Sequence, residues 1–506
     1  MINAICIVLG LAIPALIYIY NKKWIAYYLI ATCFLTEFYY INIVGGKIRF
    51  YHLAAIVVIL VLYKYWKQLL QRFQVKVLAF FVGYALVSAL ISNSRSGAVK
   101  SWCSLVLNVC VAVAILLVLQ AQYITLEKLK QVICYLVILE CILGIVQYFM
   151  FFMFRINIGF SWEQQSQINI GMIPAFRTEA NVFGRSLLIM MFLLLPDLVY
   201  KQTKIAGLYV MYVLGTFCTM INMTRTVLYP AVVVVIALGI YFIRKGYGVR
   251  FGKLMGSFVV LVVGIVILAH IHVLPVAEYT TYKWSAFVSP LKIDTNMLVA
   301  DSGESVNVEE VEQGKVETYD ETVKEYYQQQ MEESKELSKL EVGKTQEVEK
   351  TEVENTESLV EETEYNVKEA ESTYDVSSSY RMSNTIKVLK SMLESPPIFI
   401  FGRGWGQTYF MINKYASQAG AGDWGNVFAY TGILGFMVYL FVTINTLKIV
   451  FIEVVQNKKD IILALGILSS CIILGVAGLL SSNIIMPDFW MLIGMAAYME
   501  KKNEKA

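Results

Sequence analysis

NMTRTVLYPA, residues 222–231, lies between two long apolar runs, TMI and its predecessors before it and AVVVVIAL after it. Arg225 therefore occupies a very short connection between two hydrophobic segments. A helix needs ~20 apolar residues to cross the hydrocarbon of a bilayer, and both flanking runs approach that length. The stretch reads as a tight turn between two membrane helices, with a guanidinium at its tip.

The rest of the chain repeats the pattern. Of 506 residues, 57% are hydrophobic, and the mean hydropathy is +0.58. That is well above a typical soluble domain and implies an all-α polytopic membrane protein. About 13 spans are expected, near 2–20, 24–41, 53–66, 76–92, 102–120, 131–154, 183–200, 204–222, 226–243, 253–274, 424–443, 461–480 and 483–499. Residues 2–20 have no basic stretch before them and the pair Lys22 and Lys23 after them, which argues against a cleavable leader.

Charge assigns the sides. Every second connection is cationic: Lys22 and Lys23; Lys64, Lys67, Arg72 and Lys76; Lys128 and Lys130; Lys201 and Lys204; Arg244, Lys245, Arg250 and Lys253; Lys448, Lys458 and Lys459; and the tail Lys501, Lys502 and Lys505. The positive-inside rule makes this set cytoplasmic. The amino terminus is then outside and the carboxyl terminus inside. A large extracytoplasmic loop, 275–423, separates spans 10 and 11. Within it, residues 301–375 hold 24 Asp and Glu against 7 Lys, so the net charge of +3 conceals a basic remainder. The insertion at about 300–378, with the low-complexity piece KTQEVEKTEVENTESLVEETE, buries little and reads as disordered or as a loose solvated helix: a tolerated insertion, an interaction arm or a screen against acidic polymers. TIKVLKSMLESP has apolar residues at helical spacing and is expected as a membrane-surface helix over about 381–394.

The basic residues do not cluster on one polar domain, which excludes nucleic acid as a partner. The eight cysteines lie in or beside apolar runs and read as small core residues. His270 and His272, two apart, point to different helix faces, so no metal site is expected. Glu140, in mid-span, is read as a polar contact between helices.

Several arginines fall on the outer side, where the charge rule disfavours them. Arg177 and Arg185 flank the start of the seventh span in AFRTEANVFGRS. Arg225 occupies the NMTRT turn, Arg381 opens RMSNTIKVLKSMLESPP, and Arg403 lies in FGRGWGQ. A planar fork of permanently charged donors suits phosphate oxygens. The plainer reading is that each reaches to lipid headgroups. Glu179 and Asn181 either hold a sugar hydroxyl or are a solvated carboxylate and a helix cap.

Three stretches carry a likeness: FRTEANVFGRSLLIMMFLLLP, TMINMTRTVLYPAVVVVIAL, and RMSNTIKVLKSMLESPPIFIFGRGWGQ followed by GDWGNVFAYTGILGFMVYLF. In this order the chain resembles the O-antigen ligase and O-antigen polymerase superfamily of bacterial membrane glycosyltransferases, over roughly residues 130–500. The resemblance implies a GT-C-like, multi-pass protein of the bacterial cytoplasmic membrane. It implies transfer of an oligosaccharide en bloc from undecaprenyl diphosphate at the outer face, with no cofactor and no metal. The expected activity is polymerisation of repeat units for a surface polysaccharide such as a capsule or exopolysaccharide. The alternatives are ligase-type transfer to a lipid or protein acceptor and, in another class, a lipid-linked oligosaccharide flippase. Expected partners are the lipid-linked donor, membrane lipid and other polysaccharide-assembly proteins. Arg177, Arg225 and Arg381 match the diphosphate-binding arginines, with Arg403, Arg185, Glu179, Asn181 and Asn426 as further substrate contacts. Ligases of the family commonly place a His before the Asn of the last motif; here Gly425 precedes Asn426. Asp423 is then the candidate general base, or alternatively a cap on the eleventh span.

Overall fold

The computed structural model describes residues 2–36, 40–43, 46–92, 95–169, 171–200, 207–222, 225–275, 392–393, 395–406, 422–456, 460–479 and 484–503. The acidic insertion, Arg381 and nearly all of the expected surface helix lie outside these residues.

The helices are α1 (Ile2–Tyr20), α2 (Trp24–Phe34), α3 (Phe50–Val61), α4 (Trp66–Leu70), α5 (Phe73–Ile91), α6 (Arg95–Gln120), α7 (Leu126–Phe154), α8 (Trp162–Asn169), α9 (Ala180–Tyr200), α10 (Leu208–Asn222), α11 (Arg225–Arg244), α12 (Gly248–His270), α13 (Pro396–Phe401), α14 (Asp423–Val455), α15 (Ile461–Ala477) and α16 (Pro487–Asn503). Among the described residues, α5, α6, α7, α9, α12 and α14 are long and apolar enough to cross a membrane. A seventh span results if α3 and the helical residues Tyr63–Leu70, bent by 67°, are taken together. The chain is thus a mostly helical, multi-pass membrane protein. Each of the thirteen expected segments overlaps a helix.

Several expected boundaries are corrected. The second segment ends as helix at Phe34, not at 41, and the chain turns into an antiparallel hairpin of β1 (Tyr40–Ile43) and β2 (Gly46–Arg49). The third, expected over 53–66, starts at Phe50 and bends after Val61. The sixth begins at Leu126 because Thr125 caps it, its hydroxyl accepting the Lys128 N–H at 3.3 Å. The eleventh runs on to Val455, since the helix continues past the point where its apolar run thins.

α9 is the central element. It is buried on all faces, as a helix surrounded by others must be, and only one residue in its last turn, Tyr200, is less than buried after Phe183. It packs on α7, α10 and α15. At the α15 contact a Cβ on Gly466 would lie 2.0 Å from the Leu193 carbonyl oxygen, so only glycine permits that approach. The Ser470 hydroxyl donates to the Ile189 carbonyl at 2.8 Å across the same seam.

The two alternate sets of connections make contacts within their own set. At one end, Thr36 Oγ1 donates to the Phe176 carbonyl at 3.1 Å, Arg49 reaches Thr178 Oγ1 at 3.3 Å, and Asp423 Oδ1 accepts from the Ile484 N–H at 3.1 Å. At the other, Arg72 donates to the Tyr498 carbonyl at 3.1 Å, Glu500 Oε1 accepts from the Phe73 N–H at 2.9 Å, and Lys130 pairs with Asp197 at 2.6 Å. The first is the end of the arginine-bearing connections and the second the end of the cationic set.

Candidate functional site

The segment 171–179 has no regular secondary structure, so its backbone groups need other partners. Three side-chain amides supply them. Gln147 of α7 accepts from the Ala175 N–H at 2.8 Å and donates to the Ile158 carbonyl at 2.9 Å. Gln164 of α8 donates to the Arg177 carbonyl at 2.6 Å. Asn222, the last residue of α10, accepts from the Ile173 N–H and donates to the Ile173 carbonyl, both at 3.0 Å. This two-point clamp fixes the end of α10 beside the segment that carries Arg177.

Arg177 is fully buried. Its Nε donates to Glu140 Oε1 at 2.7 Å and its Nη2 reaches Glu140 Oε2 at 3.4 Å. From the other side Asp488 takes Nη1 at 3.1 Å and Nη2 at 3.4 Å. The Cys33 carbonyl accepts from Nη1 at 3.3 Å, and the guanidinium carbon lies 5.2 Å from the centre of the Phe34 ring. A guanidinium has five N–H donors, and each has a protein acceptor here. Burial alone would lower the affinity of Arg177 for its proton; Asp488 and Glu140 reverse that and hold it above its ordinary value. In this arrangement Arg177 has no donor left for a phosphate oxygen. It joins α7, α16 and the C-terminal end of α2. Glu140 makes a polar contact, but its partner sits in the irregular segment 171–179 and not on a second helix, which corrects the expectation of a contact between helices.

The other candidates distribute as follows. Arg225 is the first residue of α11, three positions after the Asn222 clamp; its side chain lies outside the described residues. Arg185 is buried within α9, its Nε donating to the Asn181 carbonyl at 3.3 Å. Glu179 is exposed and directly precedes α9, its carbonyl accepting from the Phe183 N–H at 2.9 Å. Asn181 is half-buried in the first turn of that helix. The capping position therefore belongs to Glu179, and the reading of Asn181 as the cap is corrected.

Asp423 is buried and opens α14, whose N-cap residue is Gly422. Its carboxylate holds the Ile484 N–H, four residues before Asp488, so it ties α14 to the approach to α16. A negative group in a first turn also suits the helix dipole. Asn426 is buried one turn further along α14.

Arg403 belongs to a separate part of this end. The short helix α13 ends at Gly402 (φ 78°), which meets a break in α14 at Gly432 (φ 64°). A Cβ on Gly432 would lie 2.4 Å from the Ile400 carbonyl oxygen, and one on Gly402 would lie 2.5 Å from the Gly432 nitrogen. Both the left-handed backbone and the contact demand glycine. The Arg403 and Gly404 N–H groups donate to the carbonyls of Ala429 and Tyr430 at 2.9 and 3.0 Å, which satisfies carbonyls released by the break. The Arg403 backbone is thus structural, and its side chain is half-buried.

The structure therefore gathers Arg177, the start of α11, Asp423 and the approach to α16 at one end, with the Arg403 loop attached along α14. Asp488, Gln147, Gln164 and Asn222 were not singled out in the sequence. The one available signal was Glu140, a mid-span carboxylate that called for a cation. No family model matches the chain, and no curated protein sequence matches it.

Proposed function

We propose that this protein is a membrane glycosyltransferase of the bacterial cytoplasmic membrane. It would polymerise undecaprenyl-diphosphate-linked oligosaccharide units at the outer face, within a GT-C-like fold of about 13 spans. The carrying observation is the Asn222–Ile173 clamp, which holds the end of α10, three residues before Arg225, beside the segment anchored by Arg177. Two far-separated arginine motifs thereby share one end of the bundle.

In this reading the C–O bond between the donor sugar and the diphosphate breaks, and an acceptor hydroxyl forms the new glycosidic bond. The hydroxyl proton passes to a carboxylate, for which Asp423 is our candidate. Undecaprenyl diphosphate leaves. Arg225 neutralises the charge growing on that leaving group, which is electrostatic stabilisation of the transition state. Arg177, with every donor engaged, acts as a positioning residue for the loop around it. Gly425 in the place of a ligase His favours polymerisation over ligase-type transfer.

A flippase is the second reading. The observation in its favour is the break in α14 at Gly432, since discontinuous helices often line transport sites.

Arg225→Ala in the cell, followed by analysis of lipid-linked glycans, separates the readings. Polymerisation predicts that single units accumulate and long chains vanish. Ligase-type transfer predicts long chains retained on undecaprenyl diphosphate. A flippase predicts units trapped on the cytoplasmic leaflet. Unchanged glycans would contradict all three.

A further inference from the structure

A groove of about 410 Å³ runs between α5 and α14, lined by Lys76, Val77, Phe80, Met437, Val438 and Phe441. Its size is within the range of small-ligand sites. It opens outward: Phe80 is 62% and Met437 57% exposed. In a membrane protein that direction is lipid.

The groove is pre-formed, because the two helices are pinned behind it. Gln74, fully buried on α5, donates to Thr446 Oγ1 at 2.7 Å and accepts from Asn445 Nδ2 at 2.5 Å. Phe81 lies 5.9 Å from Tyr439 and both are buried. Adjustment of side chains at the mouth cannot bring α5 and α14 together over the gap.

Lys76 is the one charged lining residue, and it is exposed. It pairs with no carboxylate among the described residues. Its depth is set by the start of α5, where Glu500 receives the Phe73 N–H, marking the polar boundary. Lys76 stands three residues in, about 4.5 Å along the axis. From there its stem lies along apolar surface while its ammonium reaches back to the headgroups.

We infer that this groove is a binding site for one acyl chain of an anionic glycerophospholipid, with the headgroup phosphate held by Lys76. The apolar walls accept any acyl chain; the ammonium at the rim selects a net negative headgroup, by about fivefold for one cation near the surface. The site lies toward the cationic end, away from Arg177 and Asp423. It therefore does not depend on the glycosyltransferase reading.

Native mass spectrometry of the purified full-length protein tests this, using equimolar phosphatidylglycerol and phosphatidylcholine with identical acyl chains. Other surfaces also retain lipid, so the quantity scored is the lipid lost when Met437→Trp fills the groove. That lost lipid is expected to be phosphatidylglycerol over phosphatidylcholine by about fivefold. Lys76→Ala should bring the lost fraction to parity, and Lys253→Ala on α12 should leave the preference intact. Met437 and Lys76 are both exposed, so wild-type elution volume and melting midpoint are expected for both variants. Loss of the two lipids in equal amounts, no loss in Met437→Trp, or an undiminished preference in Lys76→Ala overturns the inference.

Discussion

Arg177 Nη1 donates to Asp488 Oδ2 at 3.1 Å across 311 positions of sequence. With Glu140 the group holds one formal positive charge and two formal negative charges, all buried. Removing one partner of a buried pair typically costs about 3–5 kcal/mol, because the other charge is left uncompensated. Arg177→Ala is expected to lose stability on that scale. Arg177→Lys should rescue little, since an ammonium offers three donors from a point and cannot span two carboxylates in a plane. Unfolding of the detergent-solubilised protein measures both.

The charge balance of the same group makes a sharper prediction. Glu140→Gln leaves one cation facing one anion but offers Arg177 one acceptor oxygen in place of two, so it should cost about 1–3 kcal/mol, the penalty for one buried donor left without its acceptor. Glu140→Gln with Asp488→Asn leaves the guanidinium buried without a counter-charge. The double variant should lose well beyond the sum of the single ones. Additive losses in a double-mutant cycle would show that the two carboxylates do not share Arg177 in solution.

The Asn222 clamp predicts a local effect. Asn222→Ala leaves the Ile173 N–H and carbonyl buried without their partner, at about 1–3 kcal/mol. Hydrogen exchange at 172–177 should accelerate, while exchange in α6 and α16 stays at wild-type rates. A uniform acceleration across the bundle would mean that the clamp supports the whole fold and not this segment.

Glycine at the α13–α14 contact is a steric requirement. Gly432→Ala places a Cβ within 2.4 Å of the Ile400 carbonyl and forces an L-residue into φ 64°. Strain and overpacking together should cost about 2–5 kcal/mol. Gly83→Ala is the control: nothing lies within 4 Å of its Cβ position on α5, so it should be neutral or stabilising by up to about 1 kcal/mol. Melting midpoints of the two variants decide this.

The helices were legible because burial in lipid leaves a composition signal, and the alternation of cationic connections was legible because topology depends on charge. Boundaries were less so. LTEFYYINIVGGKIRF reads as apolar through residue 41, yet its Gly45-Gly46 pair is a hairpin signal, and the helix stops at Phe34. The candidate arginines could be assigned to an end but not to a role. Whether a guanidinium is available depends on its acceptors, and those of Arg177 lie 37 and 311 positions away. Asp423 likewise looked like a cap for its own helix, whereas its carboxylate serves Ile484, 61 positions on.

We propose that this chain joins lipid-linked glycans at its arginine end. It is tested most directly with the purified protein in vesicles, supplied with the lipid-linked single units isolated from Arg225→Ala cells and no nucleotide sugar. Growth of a glycan ladder with release of undecaprenyl diphosphate, lost in Arg225→Ala, is the predicted result. Units that keep their original length, whether or not they change leaflet, would contradict it.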